Sequence, residues 1–494
     1  MVTSDTLAIS ALGDTLVLTA LVTGRKGQPL PNPAVTWESS IPAVATVDSA
    51  GCVVSQGNGL TMIRVGVGRV SQMVPVRVQQ LAAMLDVSVL NRTLMVSETF
   101  PLSGVVRDSN GVAVTGTPIT WSSTDTQVAH IDPTGLVRGR YAGEAAIEGR
   151  AAGMSGSVTV TVRPRPLMSW VRERYAGNPV IQAVLDNPAE SLSQYVPAPI
   201  RLPNGDIWVY VKGDYTHAIW AYKSTDGGRS YVVQGKAIDR GGPAAWDAAS
   251  VLDPAAVYDQ GTNTIHLWYK GTDDARSQTN WSWGHATASG DYPLTFTKDA
   301  TNPILTPRDI ETALGETDVT DNDVSNVIRI GGDFYFYGTF SSSDGYKIFY
   351  AKGSDWNKPV PQAVILTPGP GYEIVQSPTV FQHPDTLLYV MLFTEGFLIP
   401  PGERHLVAAQ SRDGVVWERL PGIFLASSDK PNARGDYPWE SVRVYGASML
   451  KDSRGDFATP ASVDGRYLLY YSGSSDAYGD ETGLLVVTPA VPGY

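Results

Sequence analysis

Residues 197–213 read PAPIRLPNGDIWVYVKG, and residues 253–271 read DPAAVYDQGTNTIHLWYKG. Each is a short apolar strand, a polar turn containing Gly, Pro, Asn or Asp, and a second strand rich in Tyr, Trp, Leu or Val. That is the pattern of a β-hairpin. The phrase returns as VSNVIRIGGDFYFYGTF (324–340), as SPTVFQHPDTLLYVMLF (377–393), and as YGASMLKDSRG (445–455) resuming in GRYLLYYSG (465–473). Four of the five phrases are followed by another strand pair around a small polar turn: HAIWAYKSTDGGRSY (217–231), SWGHATASGDYPLTF (282–296), KIFYAKGSDWN (347–357) and HLVAAQSRDGVVWERL (405–420). Four strands per unit, repeated radially five times, predict a five-bladed β-propeller. Such a ring gathers residues from every unit into one central pocket at its mouth, which suits a small sugar-like ligand.

A second repeat fills residues 1–163. VTWESSIPAVATVDSAGCV (35–53) matches ITWSSTDTQVAHIDPTGLV (119–137) at a constant offset of 84 residues. Trp37 pairs with Trp121, Val44 with Val128, Val47 with Ile131, Gly51 with Gly135, Gly59 with Gly143 and Ile63 with Ile147. Alternating apolar residues with closely spaced turns predict a β-sandwich of about 80 residues per copy. The fold class is therefore all-β. The boundaries are drawn at 1–79 and 80–163 for the two sandwiches and 164–494 for the propeller, with RPRPLMSW (163–170) as the linker.

Composition narrows the partners. The 494 residues are 43% hydrophobic and 17% charged, so they can build packed cores rather than remain disordered. A formal charge of −12 disfavours nucleic acid and anionic membrane as partners. No apolar run approaches the length of a membrane span. The single cysteine, Cys52, excludes an intrachain disulfide; it reads as a small buried hydrophobe. The first ten residues, MVTSDTLAIS, lack the basic and apolar regions of a signal peptide. The expected location is extracellular or at a cell surface, with a virion as a further possibility.

The sandwich motifs W-x-S-S and V-A-x-[VI]-D with a following Gly resemble the bacterial Ig-like group 2 domain, over both copies nearly end to end. The pair reads as spacer or adhesion modules, with Trp37 and Trp121 expected as core residues ahead of glycan platforms. In the last two thirds, S-T-D-G-G-R-S-Y (224–231) and S-R-D-G-V-V-W (411–417) put tight Asp-Gly turns between outer strands. G-N-P-V-I (177–181) and T-N-P-I-L (301–305) are expected to precede inner strands. Together with the unit rhythm, these resemble the arabinanase–invertase superfamily of glycoside hydrolases (families 43, 117 and 130) over residues 165–490. The resemblance implies a carbohydrate-active enzyme whose partner is a polysaccharide or oligosaccharide.

Chemistry is expected just before each innermost strand. Aligning the five phrases places Val196, Asp253, Asp323, Gln376 and Tyr445 together. Glu373 lies shortly before the fourth phrase and Glu440 before the fifth. Asp253, Asp323, Glu373 and Glu440 are the candidate catalytic acids. One carboxylic acid would protonate the leaving oxygen while a carboxylate activates water or attacks the sugar. Tyr195, Trp246, Asp247, Gln376, Trp439 and Arg443 are the candidate substrate-binding residues, because aromatic faces cover sugar C–H surfaces and guanidinium groups bind hydroxyls or a uronate. The superfamily's essential Asp at the first phrase is Val196 here. This keeps a second reading open, a non-catalytic glycan-binding or adhesion protein such as a bacterial surface protein or a phage receptor-binding component. D-V-T-D-N-D (318–323) is read as a polar loop whose oxygens leave a structural Ca²⁺ open; no other cofactor is expected. The six histidines show no zinc-ligand spacing, and His405 is placed where it could reach the pocket.

Overall fold

The computed structural model describes the chain apart from residues 1–5, 88–90, 97, 164–165, 183–193, 214–216, 275–279, 399–401, 429–434, 436–437, 475–479 and 489–494, and apart from the side chains of Gln194 and Tyr195. It is 54% strand and 2% helix. It divides into two compact units, Met1–Pro164 and Arg165–Ala490.

In the first unit the 84-residue offset holds element by element. Strands Thr36–Ser39, Ala45–Val47, Cys52–Ser55, Gly59–Val67 and Val70–Val78 recur as Thr120–Ser123, Ala129–Ile131, Leu136–Gly139, Gly143–Ala151 and Met154–Arg163. Each copy pairs them in the same order, a four-stranded sheet and a three-stranded one. The turns repeat too. Asp48 Oδ1 accepts from the N–H groups of Ala50 and Cys52, and Asp132 Oδ1 accepts from those of Thr134 and Leu136. Such Asx turns explain the V-D motif locally. Gly51 and Gly135, at φ +83° and +90°, follow these turns. A Cβ there would fall 2.5 and 2.3 Å from the backbone carbonyls of Leu18 and Leu102 at the end of the neighbouring strand, so only glycine fits.

Two expectations for this unit are corrected. Trp37 and Trp121 pack against their cores in matching places but are half-buried. Cys52 is half-buried as well, because side chains alternate along a strand and Val53 takes the core side with no exposure.

In the second unit the five phrases form the first two strands of five antiparallel sheets. The first strands are Gln194–Arg201, Ser250–Asp259, Asp323–Ile330, Ile374–Gln382 and Arg443–Met449. Each lies beside the next, and the fifth lies beside the first, which closes a ring. Sheets one to three have four strands each in sequence order. Sheet five takes its last strand, Val171–Arg174, from the start of the unit, paired antiparallel with Glu481–Thr488. Sheets four and five are linked by one parallel pair, Arg404 with Arg443.

Every first strand carries an irregularity near its start. The register shifts between Tyr195 and Ala198, Leu252 and Ala255, Val324 and Asn326, Gln376 and Thr379, and Tyr445 and Ser448. At four of these bulges one residue has positive φ: Val196 (51°), Asp253 (47°), Ser377 (53°) and Gly446 (53°). Bulges re-aim side chains at sheet rims, and here they sit around one mouth of the ring.

Two tryptophans lock sheets two and five in the same way. Trp439 lies over Gly473 and Gly483, where a Cβ would approach its ring to 2.3 and 2.4 Å. Trp246 lies over Gly271 and Gly284, at 2.7 and 2.8 Å. Trp439 is buried in the core of sheets four and five, and Trp246 packs against that of sheets one and two. Because the ring surface replaces the missing side chain, a methyl group there overpacks the site. Gly473→Ala is expected to destabilise the unit by about 1–3 kcal/mol, read as a lower Tm. Gly242→Ala, whose Cβ would meet nothing within 4 Å, should leave Tm unchanged. Equal Tm values for both variants would contradict the packing assigned to Trp439.

Candidate functional site

The residue that pairs with the first strand at the start of the bulge, or one step before it in sheet three, decides the character of the mouth. In sheets three, four and five it is Thr339, Thr394 and Ser472. Each hydroxyl oxygen accepts a hydrogen bond from a backbone N–H in the bulge of the next sheet: Ser377 to Thr339 at 3.0 Å, Gly446 to Thr394 at 3.1 Å and Val196 to Ser472 at 2.9 Å. In sheets one and two the same position is Lys212 and Lys270. Their ammonium groups also reach toward the following sheet. Lys212 Nζ lies 3.4 Å from Asp253 Oδ1. Lys270 Nζ lies 2.7 Å from both Asp253 Oδ2 and Asp321 Oδ1. Three hydroxyls and two lysines thus form one girdle, and the lysines gather carboxylates around it.

The girdle opens into a cavity of about 240 Å³ lined by Asp253, Asp321, Asp323, Lys212, Lys270, Tyr346, Gln376, Arg404, Arg443, Tyr445 and Asp480, with Val196 at the first-sheet position. Polar groups supply most of its lining, which suits a hydroxylated ligand better than an apolar one.

Two of its carboxyl groups differ in acidity. Burial works against ionisation of Asp253, but Lys212 and Lys270 outweigh it and hold the carboxyl down at about 2. Asp323 is pushed up to about 7, first by burial and further by the charges of Asp253 and Asp321, against the pull of Lys270. Asp323 Oδ1 accepts from the Ser325 hydroxyl at 2.8 Å. Near neutral pH, therefore, Asp323 can carry a proton while Asp253 is ionised. Burial lowers the Lys270 pKa, but Asp253 and Asp321 overcome this and raise it strongly, so Lys270 stays charged.

The structure brings four of the candidate residues to this cavity: Asp253, Asp323, Gln376 and Arg443. By cross-strand partner, Asp323 and Gln376 stand level with Leu252, so Asp253 lies one step further along its strand and reaches the mouth through its bulge. Five other candidates lie elsewhere. Glu373 is exposed and accepts from the Leu398 N–H. Asp247 is buried and takes the Tyr269 hydroxyl at 3.2 Å and Lys298 at 2.6 Å. Glu440 is buried, pairs with Arg174 at 2.5 Å and meets the Tyr471 hydroxyl. Trp246 and Trp439 are the packing residues described above. The side chain of Tyr195 lies outside the described residues.

Four of those displaced candidates, Trp246, Asp247, Trp439 and Glu440, share a framework role. Asn302 Nδ2 donates to the Tyr269 hydroxyl and the His285 carbonyl, while its Oδ1 accepts from the His285 N–H. Asn178 repeats this with Tyr471 and Leu484. The two Asn-Pro segments accordingly run beside outer strands, at Leu305 with Trp283 and Ile181 with Thr482, rather than leading into inner strands. His405 packs edge-on to Tyr372, at 5.2 Å, away from the cavity lining. Asp321 is engaged by Lys270 and by the Tyr346 hydroxyl at 3.4 Å. Among the described residues no cluster of three or more His, Cys, Asp or Glu is placed to hold a metal ion.

Sequence reasoning passed over Lys212, Lys270 and Arg404. A signal for the lysines existed: both phrases that begin the ring end in Tyr or Val, then Lys-Gly, where the others have Thr or Ser. Arg404 had no signal, because only the pairing of sheets four and five puts it at the mouth.

No protein-family model matches the chain. Over 138 residues, 28% of its length, it is 33% identical to Ice-binding protein 1 of Shewanella frigidimarina (strain NCIMB 400), of which it covers 16%. Similar solved structures include a glycosyl hydrolase from Bacteroides ovatus (16% identity, 66% of this chain and 95% of that one, TM-score 0.46). The alpha-L-arabinofuranosidase PaAbf62A from Podospora anserina, in complex with cellotriose, is 13% identical over 65% of this chain and 98% of that one (TM-score 0.45). Zg3597, a family 117 glycoside hydrolase of the marine bacterium Zobellia galactanivorans, is 12% identical over 66% and 93% (TM-score 0.43). No helix among the described residues is long and apolar enough to cross a membrane.

The raised Asp323 predicts a pH effect on stability. An Asp in an unfolded chain ionises near pH 4. Between about pH 4 and 7 the folded chain therefore holds a proton that the unfolded chain has released, and stability falls as pH rises through that window. Asp323→Asn removes this titration. Its Tm should exceed that of the unsubstituted protein at pH 8 and converge with it toward pH 4. A constant difference across this range would show that Asp323 is not the raised group.

Proposed function

We propose that the second unit is a five-bladed propeller acting as a carbohydrate-active enzyme, a glycoside hydrolase whose substrate enters the lysine–aspartate mouth. The reading rests on one observation: two carboxyl groups lining one pocket, one held ionised and the other raised so that it still carries a proton about half the time near pH 7. That division is what glycoside cleavage needs. Asp323 would protonate the leaving oxygen. Asp253, ionised between two lysines, would stabilise positive charge developing on the sugar ring. Asp321, with its side chain 35% exposed, would be the carboxylate placed to take a proton from water. The Ig-like sandwiches would act as spacers holding the ring near a polysaccharide outside the cell or at its surface.

A second reading, glycan binding without cleavage, is favoured by two features. Val196 stands at the first-sheet position, and the lysines that hold Asp253 ionised also make it a weak base. One experiment separates the readings. A panel of plant, algal and bacterial polysaccharides is incubated with the full chain, and release of reducing ends is measured from pH 4 to 9. Cleavage should fall above about pH 7 as Asp323 loses its proton, and Asp323→Asn should lower the rate about 10²–10⁴-fold while glycan binding persists. Binding without cleavage of any polymer establishes the second reading. Cleavage that survives Asp323→Asn removes Asp323 from the acid role.

A further inference from the structure

The cavity wall opposite the lysines is built from two arginines. Arg404 begins the third strand of sheet four, Arg404–Ser411, and Arg443 begins the first strand of sheet five, Arg443–Met449. Among the described residues they are the one strand-paired position between those two sheets, aligned side by side in parallel. Like charges at directly paired positions repel, and both arginines are half-buried. The Nε–H of each is buried and has no hydrogen-bond partner among the described residues. The Arg404 guanidinium lies 5.8 Å from the centre of the Tyr445 ring, which orients its plane. Burial and the neighbouring Arg443 lower the Arg404 pKa, while Asp480 supports its charge.

The opposite wall differs. Lys212 and Lys270 are already engaged by Asp253 and Asp321. Four cationic and four carboxyl side chains line the cavity. One of the carboxyls, Asp323, is half protonated near neutrality, so positive charge is in surplus and lies on the arginine side. Two adjacent guanidinium groups lining one cavity match the planar or tetrahedral oxygens of an oxyanion. Such an anion would relieve the repulsion between the arginines.

We infer that Arg404 and Arg443 form a subsite for an anionic substituent, so that the sugar bound at this mouth is acidic, bearing a carboxylate or a sulfate ester. This rests on the carbohydrate reading of the pocket and names the substrate class for it. A neutral sugar would leave the two adjacent guanidinium charges with Asp480 as their supporting carboxylate, one negative charge for two positive.

The test is calorimetric titration of the full chain with glucuronate and galacturonate against glucose and galactose, and with galactose 6-sulfate against galactose. At least one acidic sugar should bind tenfold or more tightly than its neutral counterpart, with affinity falling as NaCl is raised. Arg443→Gln should abolish the preference, and Arg443→Lys should restore part of it, because charge returns without the fork. Circular dichroism and Tm of each variant report folding, and Arg404→Gln serves in place of Arg443→Gln if the latter does not fold. The uronates and the sulfated sugar separate the two sources of the anion. Equal binding of neutral and acidic sugars, a preference that survives both Gln variants, or no binding of any acidic sugar overturns the inference. Cleavage of neutral polymers with unchanged rate in Arg443→Gln overturns it while leaving the hydrolase reading intact. Arginine-dependent binding of acidic sugars without cleavage of any acidic polymer upholds it and removes the hydrolase reading.

Discussion

The ring depends on side chains from the second strands reaching the bulge, or the entry, of the next sheet's first strand. A bulge leaves its backbone N–H outside the ladder, and a buried N–H without a partner costs on the order of a lost hydrogen bond. Thr339, Thr394 and Ser472 meet that need at three of the joints. The bulges cannot be straightened without losing these bonds, and the bonds cannot form without the bulges. Closure of the ring and the shape of its mouth are therefore one constraint.

Function is built by varying that constraint. Where two joints exchange a short hydroxyl for lysine, the joint becomes an ion pair and a carboxylate is drawn into the mouth. Asp253 sits at a bulge with positive φ, a conformation that costs a non-glycine residue energy and is found preferentially where surrounding structure over-determines it. Here Lys212 and Lys270 supply the determination. The same pair of charges then acts on its neighbours, since the ionised Asp253 is one of the reasons that Asp323 holds its proton. A single network thus anchors a strained bulge and sets two carboxyl groups apart in acidity.

Residues that resemble a catalytic set by composition serve a different purpose in sheets two and five. Trp-Asp (246–247) and Trp-Glu (439–440) each place an indole over two glycines and a carboxylate on a tyrosine hydroxyl. The Asn of each Asn-Pro segment holds the same tyrosine and brackets the adjacent strand. These carboxylates are engaged by a tyrosine and a cation inside the protein, away from the mouth that the arginines line.

The sequence by itself determined the strands, their turns and both repeats. These signals are local: period-two alternation, Asx turns such as Asp48 and Asp132, and glycines where no Cβ fits. The hairpin phrases carried Asp253 and Asp323 for the same reason, since each lies within a few residues of a recognisable strand start. Tertiary structure alone decided which acids meet. Glu373 and Glu440 lie just before their strands, yet the Leu398 N–H takes the first and Arg174 the second, away from the mouth. The Lys-Gly phrase endings marked Lys212 and Lys270 in the sequence, but cross-strand partners were needed to put them level with Thr339, Thr394 and Ser472. The pairing of Arg404 with Arg443 is set by the seam between two sheets. Spacing along the chain carries the identity of an element, but the direction of a side chain across a ring depends on register, bulges and neighbours far away in sequence.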